Sequence, residues 1–312
     1  MVRILLTGAH GQLGTDLLPL LQPLGEVVAA GRADCDFCSG EAIRKLVAGL
    51  RPTVIVNPAA YTAVNDAEAH SELAYAINAT AAGTLAEEAR KSGAMLVHYS
   101  TDYVFDGSKP GAYTESDEPA PLNVYGASKL AGERAVAAAG GRYLVLRTSW
   151  VYGANGNNFL RTIRRLAVER EELRIVDDQV GAPTSSMQLA QATARLVRQC
   201  SPAAEREFPS GLYHATADGS VSWCGFARAI VSAMKVSAME VAMPEEGETL
   251  RLRKIVAISS DEYPHAARRP LNSVLCNAKF ERTFGFRLGS WQQGLAEALG
   301  EIRFREANSA FR

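Results

Sequence analysis

A short apolar run over residues 2–6 breaks into Thr7-Gly8-Ala9-His10-Gly11-Gln12-Leu13-Gly14 and then into a helical pattern. A strand, a glycine turn and a helix in that order form a βα unit. Gly8, Gly11 and Gly14 let the backbone turn sharply and let the helix pack close on the strand. The helix N-terminus then offers unpaired N–H groups and partial positive charge, which suits the phosphates of a dinucleotide. The plain alternative is a tight turn without a ligand.

The same rhythm runs through the first half. Residues 26–30, 54–57, 95–100 and 143–148 read as buried strands, with helices over 16–24, 41–49, 72–91 and 125–139 between them. This predicts an α/β fold, a Rossmann-type doubly wound parallel sheet, over residues 1–150. Beyond it the regularity fades. Helical patterns over 158–169, 187–198, 223–234 and 291–304 alternate with strand-like pieces at 173–176, 211–214 and 252–258. They predict a smaller, interleaved C-terminal substrate-binding lobe in residues 151–312, with returns to the main sheet from about 173–215. A length of 312 residues fits one large domain with such a lobe. The stretch 201–210, of mixed charge and with two prolines, reads as a solvated loop.

At the end of the fourth strand stands Ser100-Thr101-Asp102, and open α/β sheets bind ligands at that edge. Downstream come Tyr125 and Lys129, one helical turn apart. Thr101 is placed to hydrogen-bond a carbonyl oxygen and Tyr125 to protonate it. Lys129 is expected to lower the phenol's pKa and to hold nicotinamide ribose hydroxyls. A Tyr-x-x-x-Lys can be a mere surface pair. Following the glycine loop and Ser-Thr-Asp in the order the chemistry needs, it reads as a reductase. Asn57-Pro58-Ala59-Ala60-Tyr61-Thr62 ends the third strand at the same edge. Asn78 falls inside a predicted helix, either anchoring the strand ends or facing solvent.

After the second strand, Ala30-Gly31-Arg32 lacks the acid that usually meets an adenosine 2′-hydroxyl. Arg32 either pairs with a 2′-phosphate or faces solvent, and the first reading makes NADPH at least as good a cofactor as NADH.

Other chemistries lack their motifs: no Gly-x-Ser-x-Gly elbow, no His-Glu-x-x-His and no phosphate loop with Gly-Lys-Ser/Thr is present. No metal site is expected. Lys plus Arg number 33 against 34 Asp plus Glu, which gives no electrostatic reason for a nucleic-acid or membrane partner. No apolar stretch reaches the length of a membrane span, and residues 1–6 read as a strand, not a signal peptide. A cytoplasmic location is expected. Five cysteines without a framework spacing fit a reducing compartment, and no disulfide is expected. Cys35-Asp36-Phe37-Cys38 is a C-x-x-C with no second half, so two incidental loop thiols are favoured over a redox pair or zinc site.

The spacing Gly-x-x-Gly-x-x-Gly resembles the extended branch of the short-chain dehydrogenase/reductase superfamily. Over nearly its full length the chain resembles one family within it, the dTDP-4-dehydrorhamnose reductases. The stretches that carry the resemblance are residues 5–14, 57–64, 98–107, 121–126, Arg147-Thr148-Ser149-Trp150-Val151-Tyr152, 178–184 and Arg269-Pro270-Leu271-Asn272-Ser273. The resemblance implies Thr101, Tyr125 and Lys129 as the catalytic trio. It implies cofactor contacts at Gly11, Gln12, Leu13, Asp36, Phe37, Ala60, Tyr61 and Thr62. Asp102, Tyr103 and Trp150 are implied as neighbours of the nucleotide sugar. A diphosphate contact at Arg269 suits the guanidinium fork.

The implied substrate is dTDP-4-dehydro-β-L-rhamnose, reduced at carbon 4 by NADPH or NADH. Some members bind magnesium through glutamates near the first helix at a dimer contact. Asp16 takes that place here, so no metal-dependent dimer is expected, and monomer and homodimer both stay open. A reductase or epimerase of another nucleotide sugar is the alternative. Dehydration would need Asp-Glu after the threonine, where Asp102-Tyr103 stands. A non-catalytic subunit on the same fold commonly loses the tyrosine or lysine, and both are present.

Overall fold

The computed structural model describes residues 2–200, 207–240, 250–263 and 266–309. In its first half β1 (Arg3–Thr7) leads through the glycine turn into α1 (Gln12–Leu21), followed by β2 (Glu26–Ala30), α2 (Gly40–Leu50) and β3 (Val54–Asn57). Next come α3 (Val64–Ala67), α4 (Ser71–Tyr75), α5 (Ala81–Ser92), β4 (Met95–Thr101), α6 (Val124–Ala139) and β5 (Arg142–Thr148). The second half holds β6 (Val151–Tyr152), α7 (Phe159–Glu169), β7 (Glu172–Val176), β8 (Val180–Gly181), β9 (Thr184–Ser185) and α8 (Ser186–Gln199). It continues through β10 (Gly211–His214), β11 (Val221–Ser222), α9 (Trp223–Glu240), β12 (Lys254–Ile258), α10 (Ala278–Phe284) and α11 (Trp291–Ser309).

Six strands form one parallel sheet in the order β10-β5-β4-β3-β1-β2. Alternate residues of each strand feed opposite faces, so both faces are apolar. Ile4, Leu6, Val56, Val97 and Leu146 join the core with α1, α8 and α10. Leu5, Ile55, Leu96 and Val145 join the core with α2, α5 and α6. From β1 the chain goes to one side for β2 and returns to the other for β3. Ligands bind at such a reversal, outside the strands' C-terminal ends. Gly8 and Asn57 sit there.

Residues 211–214 return to the sheet as β10, beside β5. Residues 172–176 do not: β7 pairs instead with β12 in a separate two-stranded sheet. Around that sheet α7, α9 and α11 enclose a second core containing Phe226, Ile230, Trp291 and Leu299. Part of the loop read over 201–210, and the last residues of α9, fall outside the described side chains.

The helix expected over 72–91 is not continuous. Residues Ala76–Thr80 form a π-helical turn between α4 and α5. Such insertions gather at functional sites, and this one carries Asn78.

Candidate active site

Gly8 lies at φ 54°, where a Cβ would stand 2.8 Å from the Ala59 backbone. At Gly14 a Cβ would fall 2.2 Å from the Gly8 carbonyl oxygen. Neither position accepts a side chain, and the turn they allow places Gly11 as N-cap of α1 without a capping side chain. The amides of Gln12 and Leu13 in the first turn are thereby left for an anion. The α1 end thus fits a dinucleotide's pyrophosphate.

Beside it, the His10 ring packs against Gly31, where a Cβ would lie 2.6 Å from His10 Cδ2 and the exposed ring would have to swing aside. Arg32 is exposed and has no ion pair among the described residues. The acid absent at position 31 is partly restored from further on. Asp34 accepts a hydrogen bond from the Gly31 amide at 2.8 Å, a feature that position-by-position reading missed. Asp36 is exposed, and Phe37 packs at the edge of the core under β2. Cys35 is buried and Cys38 exposed; both are free, with thiol pKa values raised by burial first and Asp36 next. A reactive pair needs lowered values.

Asn78 resolves the choice left by its position. Its Oδ1 accepts from the Tyr61 amide at 2.8 Å and its Nδ2 donates to the Tyr61 carbonyl and to Ser128 Oγ. The π-helical turn therefore pins the Ala60-Tyr61-Thr62 segment to α6, one residue from Lys129.

Thr101 ends β4 with its hydroxyl donating to Asp102 Oδ1 at 3.0 Å and accepting from the Tyr103 amide at 3.2 Å. Tyr125, on the first turn of α6, has its hydroxyl close enough to Thr101 to feel that side chain. The expectation of a lowered phenol pKa is corrected. Burial pushes the Tyr125 hydroxyl up to about 12, outweighing the lowering by Thr101, while Asp102 adds to the rise. Lys129 is 3% exposed, and burial takes its ammonium down to about 8 against the pull of Glu133. The phenol is therefore fully protonated at neutral pH, the state that a proton donor needs.

Beneath the trio lies a polar layer that strand and helix patterns do not announce. Arg147, 2% exposed, meets Glu133 through two hydrogen bonds of 2.8 and 2.6 Å. Glu133 also accepts from Ser100 at 2.5 Å. The signal was the spacing: Glu133 lies one turn beyond Lys129 on α6, and Ser100 faces Arg147 across β4 and β5. His98, fully buried, takes the Asn57 amide on Nδ1 at 3.0 Å, and Thr7 donates to Asn57 Oδ1 at 2.5 Å. Burial, and Lys129 after it, hold His98 neutral, its pKa well below the usual imidazole range.

On the substrate side the resemblance names Asp102, Tyr103, Trp150 and Arg269. Tyr103 packs edge-on to Tyr125, with ring centroids 5.8 Å apart, and Arg269 lies close enough to oppose the burial that raises its phenol pKa. Arg269 keeps a buried Nε without a partner. Asp102 is only 2% exposed and turns toward Thr101, not toward open space; burial lifts its carboxyl to about 6. A strap over residues 268–273 closes this edge. Its Arg268 carbonyl accepts from Asn123, the N-cap of α6, at 2.7 Å, and the Ser273 amide donates to Val180. Trp150 follows β5 and stacks on Trp223, a residue the motifs did not single out.

Asp16, on α1, is buried and accepts from Ser186 at 2.5 Å and Asn155 at 3.0 Å. Burial raises its pKa.

A family model described as the RmlD substrate binding domain matches residues 2–304. The chain belongs to the dTDP-4-dehydrorhamnose reductase family. A reductase of that name from Burkholderia thailandensis is 47% identical over 302 residues, covering 96% of this chain and 99% of the relative. One from Escherichia coli K12 is 42% identical, covering 96% and 98%. The crystal structure of the Bacillus anthracis dTDP-4-dehydrorhamnose reductase in complex with NADP superposes with a TM-score of 0.85 at 36% identity, covering 96% of this chain and all of that one. The chain is accordingly an NAD(P)H-dependent oxidoreductase of this family.

Proposed function

We propose that this chain reduces the 4-keto group of dTDP-4-dehydro-β-L-rhamnose to dTDP-L-rhamnose. The observation that carries the reading is the placing of Tyr125, on the first turn of α6, beside Thr101 at the end of β4 and one turn from the buried Lys129, at the sheet edge that also holds the anion cradle.

In this reading Gly8, Gly11, Gln12, Leu13 and Gly14 hold the pyrophosphate, with Arg32, Asp36 and Phe37 on the adenosine side and Ala60, Tyr61 and Thr62 at the strand edge. NADPH or NADH supplies the hydride when bound. Thr101 orients the sugar carbonyl. Tyr125 gives its phenolic proton to the carbonyl oxygen, and this transfer runs forward because a sugar alkoxide is a stronger base than a phenolate. Lys129 steadies the phenolate that results, and its burial strengthens that attraction. Tyr103, Trp150 and Arg269 bound the site for the nucleotide sugar, with Asp102 behind Thr101. No helix among the described residues is long and apolar enough to cross a membrane, and the reading places the reaction in the cytoplasm.

The test is reduction of dTDP-4-dehydro-β-L-rhamnose, generated enzymatically and supplied fresh, with cofactor oxidation followed and the product sugar identified. Formation of dTDP-L-rhamnose supports the proposal. A folded, NADPH-binding protein that oxidises cofactor only with a different 4-keto nucleotide sugar overturns the substrate assignment.

A further inference from the structure

Trp150 leaves β5 at φ 47°, in the left-handed region that bulky side chains rarely enter. Such a conformation is strained and persists only where the surroundings impose it. Those surroundings cover both faces of the indole. Trp223 stacks on one face with centroids 3.5 Å apart and planes within 5°. On the other lies Gly181, where a Cβ would stand 2.6 Å from Trp150 Cε2 and 2.8 Å from both Cζ2 and Nε1. Only an approach over the ring makes Cε2 the nearest atom, and Trp223 leaves no room for it on its own side. Phe159 backs Trp223 with centroids 4.6 Å apart.

An indole covered on both faces offers no platform to a base or a sugar ring. What remains is its rim. The Trp150 Nε1–H has no hydrogen-bond partner among the described residues, and the residue is only partly buried. A donor in that state, at the sheet edge one residue beyond Ser149, is open to a ligand oxygen.

We propose that Trp223 and Gly181 are positioning residues of the sugar site, clamping Trp150 so that it meets the nucleotide sugar with its rim N–H and not with its ring face. This rests on the reading above that Trp150 borders the sugar. A glycine at 181 follows directly, since any side chain there drives the indole aside. Trp223 acts on the substrate only through Trp150.

The clamp can be read without turnover. The chain holds three tryptophans, Trp150, Trp223 and Trp291, so a circular-dichroism exciton couplet from stacked indoles has one source. The couplet is expected in the ligand-free protein and is expected to vanish in Trp223→Leu. Absence of the couplet from the unmodified protein overturns the clamp.

Trp150→Phe keeps an aromatic face and removes the donor. It is expected to raise KM for the nucleotide sugar about five- to tenfold, the scale of one lost hydrogen bond, with the NADPH Kd unmoved. Trp223→Leu and Gly181→Ala should raise the same KM by similar factors, and Trp223→Phe, which can still stack, should restore most of it. An unchanged KM in Trp150→Phe overturns the rim contact. An unchanged KM in folded Gly181→Ala and Trp223→Phe, while Trp150→Phe raises it, overturns the positioning role. Failure of the unmodified protein to turn over the sugar would instead strike the functional reading, with the couplet still reporting on the clamp.

Discussion

Tyr125 is the proposed proton donor, and its environment makes it a weak acid. With the hydroxyl held up to about 12 by burial, proton transfer draws on the basicity of the developing alkoxide and on Lys129 beside the phenolate, not on an acidified phenol. Tyr125→Phe keeps the ring packed against Tyr103 and removes the proton. Turnover should fall roughly a hundred- to ten-thousand-fold with NADPH affinity little changed, as single-turnover kinetics and cofactor titration would show. Near-normal turnover would remove Tyr125 from the mechanism. Arg32 poses a separate question, because it stands exposed near the Asp34 carboxylate that folds back on Gly31. If Arg32 takes the 2′-phosphate, NADPH serves at least as well as NADH, and Arg32→Ala weakens NADPH alone. Steady-state kinetics with both cofactors decide this, and a strong preference for NADH in the unmodified protein points to Asp34 as the dominant group.

At the scale of elements, α6 carries both Tyr125 and Lys129 and is fixed from three directions. Asn123 caps it, accepting from the Gly126 amide at 2.8 Å while donating to the 268–273 strap. Asn78 ties it to the loop after β3 through Ser128. Glu133 locks it to β5 through Arg147, two charges withdrawn from water that hold each other. Breaking such a buried pair costs about 3–5 kcal/mol because the remaining charge keeps its desolvation penalty. Glu133→Gln should destabilise the protein by that order in urea unfolding, and a loss below about 1 kcal/mol would show Arg147 finding another partner.

These contacts mark where the sequence was legible. The strands of the main sheet and the glycine turn follow local rules of periodicity and turn chemistry and are legible in the sequence, as is the grouping of Thr101, Tyr125 and Lys129 at one sheet edge, whose catalytic roles are the proposal above. The partners of Glu133, His98 and Asn78 depend on which strands become neighbours, which no local pattern encodes. The same holds for β7: its apolar alternation identified a strand, while its partner, β12, lies about eighty residues on and was not foreseen. Trp223 was invisible as a site residue because an aromatic on a helix face usually means core.

For the whole molecule, the buried histidines set a pH dependence. His98 lies well below its usual pKa, and His214 is pushed down to about 3 by burial first and Arg147 next. Both are neutral in the fold and recover a value near 6.5 on unfolding, so unfolding takes up protons and stability falls as pH drops below about 7. Asp102, raised to about 6, and Asp16 act in the opposite sense at lower pH. Between pH 7 and 6 the net expectation is a loss of about 1 kcal/mol, which His214→Phe should reduce; urea titrations at the two values check it. Stability that rose over that interval would mean the carboxyls outweigh the histidines.

The proposed reaction delivers a hydride to one carbon of one sugar. Reduction with NADPH carrying deuterium at the transferable position of the nicotinamide, followed by nuclear magnetic resonance of the product, reports on that carbon directly. The expected product is dTDP-L-rhamnose with deuterium at carbon 4, with no label transfer above background in Tyr125→Phe over the same time. Deuterium at any other carbon, or oxidation of the cofactor with no label in the sugar, would contradict it.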